Sequence, residues 1–77
     1  EIPENDFDLI IANIQKNILL DLADGFKDRI KKNGILILSG LLDMDRESIL
    51  KRYTLLGFKE SDFLQWDEWI GIVFESQ

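Results

Sequence analysis

The 77 residues carry 9 Lys and Arg against 15 Asp and Glu, a formal net charge of −6, with no His and no Cys. Those counts exclude a Ser-His-Asp triad, a Cys nucleophile, a thiolate or imidazole zinc site and a disulfide framework. The excess of acid argues against a nucleic-acid surface, whose affinity comes from clustered Lys and Arg.

A domain of this size buries only about 60% of its unfolded surface and has little stability to spare. Apolar residues nevertheless make up 45% of the chain and charged ones 31%, the composition of a core-forming protein. Apolar runs such as Ile35 to Leu38 fall far below the ~20 residues that cross a bilayer, and no basic start leads into an apolar stretch. A cytoplasmic protein without a membrane partner is expected. The opening Glu1-Ile2-Pro3, with no Met, points to processing or to a piece of something longer.

Pro3 to Asp6 form a polar lead with turn chemistry. Phe7 to Ala12 then read as a strand, apolar after Asp8 almost without interruption, as suits a strand covered on both faces. Asn13 ends it. From Ile14 to Lys32 the positions Ile18, Leu19, Leu22, Ala23, Phe26 and Ile30 recur at three- and four-residue spacing, predicting a helix of roughly five turns. Lys27, Arg29, Lys31 and Lys32 complement its negative end as a solvated basic turn, and Asn33-Gly34 is its left-handed stop. Ile35 to Ser39 make a second buried strand, closed by Gly40.

Asp43 or Asp45 caps a second helix, with Glu47 in its first turn and Ile49, Leu50, Tyr53 and Leu56 inward, stopping at Gly57. Phe58 to Leu64 and Trp69 to Phe74 are two further strands joined by a turn at 65–68. In the last, Ile70, Ile72 and Phe74 face one way and Trp69, Gly71 and Val73 the other. The order β-α-β-α-β-β predicts one α/β unit over residues 1–77, with two parallel crossovers and a C-terminal antiparallel hairpin. Its first strand lacks an outer neighbour, so self-association through the Phe7–Asn13 edge is expected.

The strings Phe7-Asp8-Leu9-Ile10-Ile11-Ala12-Asn13-Ile14, Gly34-Ile35-Leu36-Ile37-Leu38-Ser39-Gly40-Leu41-Leu42 and Asp67-Glu68-Trp69, in this order and spacing, resemble the C-terminal half of the ribosomal protein L11 methyltransferase family. The resemblance runs from about Phe7 to Phe74. It implies a partial Rossmann-like sheet holding strands four to seven of an S-adenosylmethionine-dependent enzyme that methylates lysine or N-terminal amines, with ribosomal protein L11 as substrate of the parent. Asn13 matches the family's strand-end Asn. The resemblance makes Asn13 the residue that orients the amine, with Ala12, Asn13 and Ile14 beside the cofactor and Ser39, Gly40 and Leu41 as the substrate wall. No metal is implied. The Gly-rich turn and the ribose-binding acid of such enzymes have no counterpart here, so methyl transfer by this chain alone is not expected.

Other readings stay open. Asn13 is also a common strand-end turn or helix cap. The Asp43, Asp45 and Glu47 carboxylates suit a helix cap better than a cation site. Trp66 and Trp69 read as a satellite core or a partner contact rather than a stacking platform. In place of an enzyme fragment, the chain could be a stand-alone acidic α/β protein-interaction module.

Overall fold

The computed structural model describes residues 7–77, and the polar lead read at Pro3 to Asp6 lies outside them. Its elements follow the expected order. They are β1 (Phe7–Asn13), α1 (Lys16–Arg29), β2 (Ile30–Leu42), a 3-10 turn (Asp43–Asp45), α2 (Arg46–Leu55), β3 (Phe58–Trp66) and β4 (Trp69–Ser76).

The four strands form one mixed sheet in the order β1-β2-β4-β3. β1 and β2 are parallel, with Ile10 opposite Leu36 and Asn13 opposite Ser39. β4 is antiparallel to both β2 and β3. β2 and β3 therefore run in the same direction with β4 between them. Only the first crossover ends on a hydrogen-bonded parallel pair, because the hairpin folds its second strand into the gap left by the other.

Helix α1 is shorter than its periodicity predicts, ending at Arg29 rather than Lys32. Ile30 takes extended backbone to enter the core, and its N–H still bonds the Phe26 carbonyl. The left-handed residue is indeed Asn33, at φ 70°. It turns the chain inside β2 instead of ending the helix. Gly34 follows because a β-carbon there would sit 2.7 Å from Ile30 Cγ1 and 2.9 Å from the Lys31 carbonyl oxygen.

Both helices lie on one face of the sheet. Leu19 and Ala23 of α1 and Ile49 and Tyr53 of α2 pack with Leu36, Leu38, Ile70, Ile72 and Phe74 as one buried cluster. Tyr53 holds the layers together. Its ring stacks on Phe74 at 5.3 Å, and its hydroxyl donates a 2.6 Å hydrogen bond to the Leu19 carbonyl. Burial pushes its pKa well above the ordinary phenol value, against a smaller opposing pull from Arg52, so it remains a donor.

Lys27 is not the solvated helix end that its basic neighbourhood suggested. Its Nζ donates to Ser76 Oγ at 2.8 Å and to the Gly57 and Gln77 carbonyls at 3.3 Å each, over the Phe58 ring. Three acceptors use its three donors.

The opposite face has no helix among the described residues. Leu9 beside Ile35, and Ile11 beside Ile37 and Val73, form apolar rows across β1, β2 and β4. Toward β3 the rows turn polar, with Lys59 opposite Glu75 and Asp62 opposite Val73. Ile11 is 65% exposed, and β1 is an edge strand. An apolar face and an unpaired edge on the same side mark where another layer fits. No helix among the described residues is long and apolar enough to cross a membrane.

Candidate functional site

In open α/β sheets, ligands collect beyond the carboxyl ends of the parallel strands. Here β1 ends at Asn13, and Ser39 lies opposite it on β2. Two features distinguish this corner. First, the Asn13 side chain makes no hydrogen bond among the described residues, and the N-cap of α1 is Gln15, so Asn13 caps nothing. Second, Gly40 has φ +78°, and a β-carbon on it would overlap the Asn13 side-chain oxygen. The β2–β4 register is interrupted between Leu38 and Leu41, around Ser39 and Gly40. Bulges of this kind frequently re-aim backbone beside sites.

The other residues implied by the resemblance divide by depth. Ala12 and Leu41 are buried in the core, so only their backbone is available to a ligand. Ile14 packs half-buried against the same core. Asn13 and Gly40 are exposed and Ser39 is half-buried. The corner thus offers one free amide, one hydroxyl and a stretch of bare backbone at Gly40. An amide can accept and donate hydrogen bonds while remaining uncharged.

Among the acids after β2, Asp45 serves local structure with its carboxylate and Asp43 with its backbone. Asp45 Oδ2 accepts from the Leu42 N–H at 3.1 Å and pairs with Lys16 at 3.6 Å. Asp43 donates its N–H to the Glu68 carbonyl at 2.7 Å, which ties the end of β2 to the β3–β4 turn. No group of three or more His, Cys, Asp or Glu among the described residues could hold a metal ion. Trp66 and Trp69 sit directly opposite each other on the hairpin, 62% and 51% exposed, and form no satellite core. Sequence reasoning did not find the Gly40 contact with Asn13 or the Glu68 link to Asp43. The only trace of the first was a Gly closing an apolar strand.

The mixed sheet with both described helices on one face and its corner of free polar groups define an α/β fold of the methyltransferase type. A crystal structure of ribosomal protein L11 methylase from Lactobacillus delbrueckii subsp. bulgaricus superposes with a TM-score of 0.88 at 28% identity, covering 95% of this chain and 38% of that one. A fibrillarin pre-rRNA processing protein from Methanococcus jannaschii shares the fold, with a TM-score of 0.77 at 16% identity over 94% of this chain and 37% of that one.

The family model of ribosomal protein L11 methyltransferase (PrmA) matches residues 1–77, and the chain belongs to that family. Curated relatives include the ribosomal protein L11 methyltransferases of Brucella suis, 38% identical over 86% of this chain, and of Wolinella succinogenes, 40% identical over 90%. The chain spans 23% and 24% of the lengths of these two relatives.

Proposed function

We propose that this chain is the C-terminal half of the catalytic domain of an S-adenosylmethionine-dependent protein N-methyltransferase, contributing strands four to seven of its sheet. The observation that carries the reading is the exposed Asn13 amide at the end of β1, which makes no side-chain hydrogen bond among the described residues and caps no helix. When bound, S-adenosylmethionine supplies an electrophilic methyl group on a sulfonium. The residues present suit one side of that group. The Asn13 amide can hold the lone pair of a neutral lysine or N-terminal amine in line for attack, with Ser39 and the Gly40 backbone bounding the acceptor and the Ala12 and Ile14 backbone facing the cofactor. The other side requires a Gly-rich turn and a ribose-binding acid that this sequence does not contain, so the chain alone is expected to be inactive. Ribosomal protein L11 is the expected substrate of the complete enzyme, in the cytoplasm.

The test is a graft. Residues 1–77 replace the matching segment of the Brucella suis relative, and transfer of labelled methyl to ribosomal protein L11 is measured. Transfer that is lost in the Asn13→Ala graft supports the reading. A folded, cofactor-binding graft that transfers nothing refutes it.

The uncovered apolar rows and free β1 edge favour a second reading, in which the chain acts as an interaction module that pairs with itself. Both readings expect the isolated chain to self-associate through Phe7–Asn13.

A further inference from the structure

A second exposed apolar patch lies at the β3–β4 corner, on the same open sheet face as the rows over β1 and β2, because Trp69 and Val73 share one side of β4 with Gly71 and its partner Leu64 between them. Trp66 and Trp69 face each other across the hairpin, both more than half exposed. Met44, 81% exposed, follows Asp43, whose N–H is bonded to the Glu68 carbonyl, so the 3-10 turn is tied to the hairpin tip. Between them is a shallow depression of about 400 Å³ lined by Leu42, Asp43, Met44 and Glu68. The margin is acidic. Asp43, Asp67 and Glu68 are exposed, none belongs to an ion pair among the described residues, and residues 62–69 contain no Lys or Arg.

This pattern differs from that of the bare rows over β1 and β2. Those rows are apolar from Leu9 to Ile35 and from Ile11 to Val73, as a surface covered by further chain would be. The hairpin corner instead combines two exposed indoles with three unpaired carboxylates. Covering it with an apolar layer would strand those charges, a cost that buried surfaces avoid. Indole faces attract ammonium and guanidinium groups, and adjacent carboxylates strengthen that preference.

We propose that the Trp66–Trp69 hairpin tip, with Met44 and the Asp43, Asp67 and Glu68 rim, is a docking surface for a lysine-bearing basic polypeptide segment. Charge complementarity selects the occupant, and the bond from Asp43 to Glu68 places the surface beside the ends of β1 and β2. The surface therefore lies where a polypeptide presenting its amine to Asn13 would pass. It rests on the methyltransferase reading for that purpose, though not for the binding itself.

The test labels the tryptophans with 5-fluorotryptophan and follows their ¹⁹F resonances, assigned with Trp66→Phe and Trp69→Phe, in the 77-residue chain and in the graft described above. Oligolysine is the probe and oligoglutamate the control. Both resonances are expected to shift saturably with oligolysine only, with affinity falling as salt rises. Asp67→Asn with Glu68→Gln is expected to weaken binding about five- to tenfold. The pair Asp21→Asn with Asp28→Asn, on the exposed surface of α1, changes it less than about twofold. Asn at position 67 tolerates the left-handed backbone that Asp67 adopts, at φ 51°. The proposal is overturned if neither resonance responds, if both acidic pairs matter equally, or if the tryptophans in the graft are shielded from a soluble paramagnetic agent. Saturable oligolysine binding by a folded, cofactor-binding graft that transfers no methyl refutes the enzyme reading alone. Methyl transfer with silent tryptophans refutes the docking surface alone.

Discussion

Gly40 presses so closely on Asn13 that a β-carbon at position 40 would overlap the Asn13 side-chain oxygen. Backbone from the end of β2 thus decides where the amide at the end of β1 lies. Gly40→Ala meets two obstacles, the contact and the left-handed φ of +78°. The conformation alone is expected to cost about 1–2 kcal/mol. Chemical denaturation reads that loss, and the ¹⁵N side-chain amide resonance of Asn13 is expected to move. A variant with unchanged stability and an unmoved Asn13 resonance removes Gly40 from this role.

Asn13→Ala separates function from folding. The side chain is exposed and bonds to nothing among the described residues, so stability is expected to change by less than about 0.5 kcal/mol. In the grafted enzyme, turnover is expected to fall roughly a hundredfold, as when an orienting contact is removed. Proportionate losses of stability and turnover would assign Asn13 to structure.

Tyr53 gives a prediction with a definite sign in pH. Its pKa is raised in the folded state, so the folded protein holds the phenol proton more tightly than the unfolded chain. That contribution is complete below the unfolded value of about 10 and is lost as pH climbs above it. Tyr53→Phe leaves the Leu19 carbonyl without its 2.6 Å donor and is expected to cost about 1–2 kcal/mol at neutral pH. The difference between the two proteins should narrow above about pH 10. A constant difference at all pH values would contradict the assignment.

Ile11 tests the open edge and face together. Sedimentation of the isolated chain across the micromolar range is expected to show association, and Ile11→Lys is expected to shift it toward monomer. A monomeric parent chain would refute self-association through β1. Ile11 is 65% exposed, so the substitution should leave the fold intact.

Much of the fold was legible because its signals are local. The apolar runs of β1 and β2 and the alternation of Ile70, Ile72 and Phe74 follow from side-chain periodicity alone. The end of α1 was not, because the demand for Ile30 in the core overrides a helical pattern that continues past it. Strand order was not, because no local residue pattern says that β4 inserts beside β2. The partners of Lys27 belong to the other end of the chain, and no helix-end rule anticipates them. At the site, Asn13 stood out only through the family's motif. Its constraint by Gly40 joins two strand ends far apart in sequence, so only the folded chain reveals it.

The position of β4 also dictates an order of events. β3 is made before β4, yet it reaches the sheet only through β4. As the chain leaves the ribosome, β1, α1 and β2 can pair at once, whereas β3 emerges with no strand to join. The sheet therefore cannot grow strand by strand in the order of synthesis. A chain stopped short of Trp69 would leave the inner edge of β2 and both edges of β3 unpaired together, in addition to the β1 edge that the described sheet already leaves open.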